Sequence, residues 1–167
     1  ERMLPLIGDN LAAISPTSLL SIIQADIDKH GPRAEHLALC EGCLAHHASL
    51  LTEASTGDER TRLASFYETA GIITAIISGA RKAKRYHLES EQLMRALANE
   101  LNTAKARENL ANAVFHLANV TNDVEGPEAA LPGFMECEQL QRALASELNT
   151  PDSREKLVHA VHYLACA

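Results

Sequence analysis

The feature that most constrains this chain is that it copies itself. Residues 91–120 and 138–167 agree at 18 of 30 positions without a gap, at an offset of 47 residues. Chance agreement would be about two or three positions. The shared text reads Glu-Gln-Leu-x-Arg-Ala-Leu-Ala-x-Glu-Leu-Asn-Thr and then Arg-Glu-x-Leu-x-x-Ala-Val-x-x-Leu-Ala. A fainter third copy lies another 47 residues upstream, where Leu50, Glu53, Thr56, Arg60 and Leu63 stand for Leu97, Glu100, Thr103, Arg107 and Leu110. A unit repeated in tandem has to pack against its own neighbours, which confines the fold to a stack or bundle of like units.

Each unit reads as two amphipathic helices joined by a short turn. In the last unit Leu140, Leu144 and Leu148 recur every four residues on the first helix, and Leu157, Val161 and Leu164 line the second. Asn149 suits a left-handed helix end, while Thr150, Pro151 and Asp152 supply an N-cap, a first-turn proline and an acidic first turn. Thr56 followed by Glu59 repeats the N-cap signal as a capping box. The repeated glutamate and arginine fall seven residues apart across the turn, as Glu100 with Arg107 and Glu147 with Arg154, and the spacing predicts a structural ion pair within each turn. A ligand site is the alternative reading of the pair.

Upstream, Ser15-Pro16-Thr17 predicts the start of a helix carrying Leu19, Leu20, Ile22, Ile23 and Ile27 and ending near Gly31-Pro32. A second helix is expected to run to about Ala54, and a third, long one from Asp58 to about Tyr86. The stretch Ala70 to Ala80 of the third is apolar on nearly all sides and predicts a central buried helix, with Gly71 and Gly79 giving a neighbour close approach. Pro127, Pro132 and two glycines mark residues 121–133 as a linker.

The expected fold is therefore all-α: tandem helix-pair units packed as a helical bundle or short solenoid of about six to eight helices. One domain is expected over residues 1–167. It comprises an N-terminal helical segment (1–32), a divergent pair (33–86), a second pair (87–120), the linker, and a third pair (134–167). Composition agrees, because 46% apolar residues are enough for a core, while 4% aromatics and no Trp favour closely packed helices over sheets.

Several residues have types and spacings that chemistry uses. His36, Cys40, Cys43, His46 and His47 offer soft metal ligands in a short segment, and zinc on Cys40, Cys43 and His47 is the form such a site would take. On a straight helix, however, positions 36 to 47 extend over roughly 16 Å, so one ion could take only a neighbouring pair. Buried cysteines beside half-exposed histidines are the reading preferred, with no cofactor. His159 and His162 share a face of the last helix, and Cys166 follows them. Arg81, Lys82, Lys84 and Arg85 concentrate positive charge, which either contacts a phosphate or complements the end of the long helix. With a net charge of -7 and no stacking aromatics beside this run, nucleic acid is not the expected partner.

No Gly-rich phosphate loop, Gly-x-Ser-x-Gly elbow or His-Glu-x-x-His occurs, and the Glu-x-x-His pairs of a di-iron bundle are missing. No run approaches the eighteen apolar residues of a membrane span, and Glu1-Arg2-Met3 opens no signal-peptide pattern, so a cytoplasmic protein with reduced cysteines is expected. The function expected is that of a non-catalytic, bacterial-type interaction or regulatory adaptor. It would bind another protein and associate as a homodimer or higher oligomer, with Leu164, Cys166 and the basic run as contact residues. The alternatives are a metal or small-ligand sensor built on residues 36–47, and a nucleic-acid or nucleotide-phosphate binder built on residues 81–85.

Overall fold

The computed structural model describes residues 16–48 and 56–166, and every element in them is a helix. The helices are α1 (Pro16–His30), α2 (Ala34–Ala48), α3 (Gly57–Ser78), α4 (Ala80–Leu101), α5 (Ala104–Glu125), α6 (Pro127–Leu148) and α7 (Pro151–Cys166). Leu50, Glu53 and the expected helix end at Ala54 lie outside the described residues. From α2 onward each helix packs chiefly on its neighbours in sequence, so the chain forms a single file of antiparallel helices; α1 touches α2 and α3 lightly.

Local sequence explains the helix ends. Starts fall at Gly57, Ala104 and Pro151, and at Ala80 and Pro127, 47 residues apart within each set. Thr56 closes its capping box with Glu59, and Thr103 accepts the Ala106 N–H. Thr150 likewise accepts the Ser153 N–H. These caps satisfy amide groups that the first turn of a helix leaves without partners. At the other ends Asn102 and Asn149 take the left-handed conformation, their N–H groups bonded to the carbonyls of Ala98 and Ala145. An asparagine is one of the few non-glycine residues that enters this region cheaply.

Two expectations about continuity are overturned. The long helix from Asp58 to Tyr86 is two helices, broken at Gly79, where φ is 91° and ψ is 157°. Only glycine is comfortable there, and a Cβ on Gly79 would meet nothing within 4 Å, so this glycine is kept for its backbone angle and not for close packing. Gly126 does the same at φ 92° between α5 and α6. The predicted linker 121–133 is helical on both sides of Gly126. Pro132 sits inside α6 although an interior proline costs about 3 kcal/mol. Burial offsets it: Ala130 and Phe134 are core residues, Gly133 lies hard against Ala118, and the Pro132 ring is exposed.

The interior has two main parts. One joins α1 to α4 through Leu19, Ile23, Leu39, Leu63, Phe66, Ile73 and Tyr86. The other runs from α3 to α7 through Ala64, Met94, Leu97, Leu110, Val114, Cys137 and Ala160. A small cluster of Ala118, Ala130 and Phe134 closes the α5–α6 end, with Leu164 packed against it. The α3 helix is not buried all round, because Ile72, Ile76 and Ile77 near its C-terminus are exposed.

Candidate functional site

The Cys/His segment is built into the core. Cys40 and Cys43 are buried, unpaired thiols among the α1–α4 apolar residues, and that burial pushes them up to about 12 and about 11. Such thiols are poor nucleophiles as they stand. The His36 ring is fully buried with both nitrogens engaged: Nδ1 accepts the Arg33 N–H at 3.0 Å, so Nε2–H donates to Asp26 at 2.8 Å. Arg33 bonds the same Asp26 oxygen, and the carboxylate ties the last turns of α1 to the first turn of α2. The hydrogen bond from His36 is the leading reason the Asp26 carboxyl lies below its ordinary range. His46 is exposed, and the side chain of His47 lies outside the described residues. Among the described residues no three His, Cys, Asp or Glu side chains converge to hold an ion.

The basic run opens α4 instead of closing a longer helix, so the expected dipole complement is reversed: its charges stand at a positive helix end. Partners from other helices offset this. Lys84 pairs with Glu125 of α5 at 2.6 Å, and Arg85 lies over the Tyr86 ring and within 3.5 Å of Glu41 on α2. Arg81 and Lys82 are exposed. At the chain's other end, exposed Cys166 places its sulfur 3.9 Å from His162 Nε2. His159 instead lines a cleft of about 210 Å³ with Phe115, Cys137, Gln141, Lys156 and Tyr163.

The repeated arginine and glutamate do form ion pairs, but not within one turn. Arg60 in the first turn of α3 meets Glu100 in the last turn of α4 at 2.7 Å, and Arg107 of α5 meets Glu147 of α6. Each arginine reaches across to the last turn of the helix that follows it, and it is the antiparallel pairing that brings those ends together. Arg154 ion-pairs with no carboxylate among the described residues; its guanidinium donates to Asn149 Oδ1.

Two polar clusters bring together side chains of different helices. His87 of α4 is buried with its Nδ1 unbonded, stacked on His116 of α5, and His116 Nε2 lies 3.0 Å from Glu68 of α3. Burial above all, with His116 adding to it and Glu68 opposing, pushes His87 down to about 4. A Cβ on Gly71 would come within 2.7 Å of the His87 ring, so here a glycine does permit close approach. Second, Arg95 joins Glu91 of its own helix to Glu136 of α6, gripping Glu136 through both guanidinium NH2 groups at 2.6 and 3.0 Å. Glu91 and Arg95 have the four-residue spacing of a helical ion pair, repeated as Glu138 and Arg142, but their partner Glu136 and the members Glu68, His87 and His116 lie far apart in sequence, and no spacing announces them.

Among the described residues the exposed large apolar side chains include Ile72, Ile76 and Ile77 on α3 and Val158, Val161 and Tyr163 on α7, with Leu88 and Leu101 on α4 and Leu131, Met135 and Leu148 on α6; Ile76 and Val158 are the most exposed of them. No helix among the described residues is long and apolar enough to cross a membrane. Comparison with protein-family models, curated proteins and solved structures finds no match for this chain.

Proposed function

We propose that this protein is a non-catalytic helical scaffold that binds other proteins and self-associates. The observation that carries the reading is the position of its exposed apolar side chains: Ile76 is 64% and Val158 65% exposed, on two different helices of the file. Water-facing β-branched residues grouped on a helix face are what an interface buries. Part of each residue set that would support other chemistry has a structural role. Cys40, Cys43 and His36 hold α1 and α2 in place, and Lys84 and Arg85 face carboxylates.

The self-association surface in this reading is the α3 face of Ile72 and Ile76, positions that align at the 47-residue offset with the polar Asn119 and Asp123 of α5. Native mass spectrometry of the full chain, purified without chelator, tests it. A metal-free dimer or higher oligomer, lost in Ile72→Asp with Ile76→Asp, is the expected result. A chain carrying one zinc that disappears with Cys40→Ser and Cys43→Ser would replace this reading by that of a metal sensor.

A further inference from the structure

Every second helix from α3 onward carries a related stripe, opened by an arginine and closed by a small residue. At the 47-residue offset Arg60, Ala64, Tyr67 and Gly71 of α3 align with Arg107, Ala111, Val114 and Ala118 of α5, and with Arg154, Val158, Val161 and Ala165 of α7. Spacings of four, three and four residues put each set on one face of its helix. In α3 this face receives α4: Arg60 pairs with Glu100, the Ala64 carbonyl accepts the Ser90 hydroxyl at 2.9 Å, and Gly71 lies under His87. In α5 it receives α6: Arg107 pairs with Glu147, and Ala118 lies against Gly133. Ala111 and Val114 are accordingly 0% and 3% exposed. In α7 no helix among the described residues lies on it, and Val158 and Val161 are 65% and 42% exposed.

The geometry points to the α7 stripe as a docking site for one amphipathic helix of a partner protein, lying antiparallel to α7 as α6 lies on α5. The two seats already filled define the chemistry of that helix. Arg154 takes a glutamate in its last turn, because both aligned arginines hold such a glutamate and Arg154 holds no carboxylate among the described residues. Ala165 takes a small residue near its start, as Ala118 takes Gly133. Opposite Val158 the helix must be small as well, since Val158 is bulkier than the aligned Ala64 and Ala111. The recognition is a helix laid on an apolar face, with one charge pair setting its direction.

This inference rests on the scaffold reading but uses a different surface from the α3 isoleucines. The probe is a labelled synthetic peptide of residues 127–148 bearing Cys137→Ala, because Cys137 aligns with Ser90, which faces Ala64. Fluorescence anisotropy with the 167-residue chain is expected to show saturable binding. Val158→Asp in the protein should abolish it. Arg154→Glu, or Glu147→Lys in the peptide, should each weaken it about tenfold, and the two together should restore it to within about threefold.

No binding, or binding indifferent to Val158→Asp and to both charge reversals, overturns the proposal. So does an oligomer of the full chain that Val158→Asp alone dissociates, because the stripe would then belong to a second copy. An oligomer that ignores Val158→Asp, from a chain that binds no peptide, retains the scaffold reading and removes only the docking site. A monomer that binds the peptide with charge rescue does the reverse, removing self-association and keeping the stripe.

Discussion

The α5 and α7 helices carry related sequences on the same face and meet opposite fates. Val114 and Val161 are the same residue at aligned positions, yet one is core and the other faces water. Nothing in the helix itself makes the difference. The α5 helix has a successor, α6, packed on its stripe, and in the described residues α7 has none. In a file of helices a face is core or surface according to whether a further helix packs on it. Apolar periodicity therefore announces a face able to be buried and leaves open whether it is.

The largest test of this contrast is to put a charge at aligned positions. Ala111→Asp should destabilise the protein by about 3 kcal/mol or more, because a carboxylate there has neither water nor a partner. Val158→Asp should stay within about 0.5 kcal/mol, as exposed substitutions do. Urea unfolding monitored by circular dichroism separates the two, and equal losses would mean that α7 is covered in solution.

Acid probes the inner helices through His87, which the contact with α5 helps to keep uncharged. Its folded pKa of about 4 lies below the ordinary value of 6.5, so the native state binds fewer protons than the unfolded chain between these values. The stability tied to the neutral ring is therefore full above about pH 6.5 and is lost as pH falls toward 4. The loss should reach about 2 kcal/mol by pH 4.5 and be largely absent in His87→Gln. Asp26 and Glu108, whose carboxyls lie below their ordinary range, lose their share at lower pH. A flat stability curve from pH 6.5 to 4.5 would contradict this account of the α3–α4–α5 cluster.

Packing at the crossing points gives a smaller effect. A Cβ on Gly133 would come within 2.9 Å of the Ala118 Cβ, so Gly133→Ala should cost about 1–2 kcal/mol despite its better helix propensity. Ala165→Leu, at the position aligned with Ala118 but open to solvent, should cost almost nothing. Thermal melts of the two variants decide it.

The smallest effect belongs to the ion pairs. Arg107→Ala should lose about 0.5 kcal/mol at low salt and less at high salt, because Arg107 and Glu147 are both partly solvated. Arg154→Ala should change stability even less. Equal, salt-sensitive losses would show that Arg154 has a carboxylate partner in solution.

By itself the sequence determined the helical class, the 47-residue offset and most helix ends, because caps are decided within a turn of chain. Thr56 with Glu59, Thr150 before Pro151, and Asn149 in the left-handed region are local chemistry, and the structure keeps all of them. Only the tertiary structure decided that Arg60 and Arg107 reach glutamates 40 residues on, since adjacency between helix ends exists only once the helices pair. It likewise decided that Gly79 breaks a helix that hydropathy alone would continue, and that residues through Pro132 stay helical because Ala130 and Phe134 are buried. The Cys/His stripe and the basic run had spacings suited to ligands, and their burial and ion pairing come from neighbours that spacing cannot name. For the same reason the exposed face of α7 cannot be read from the sequence: exposure belongs to a helix's place in the file, and a single segment does not encode its place.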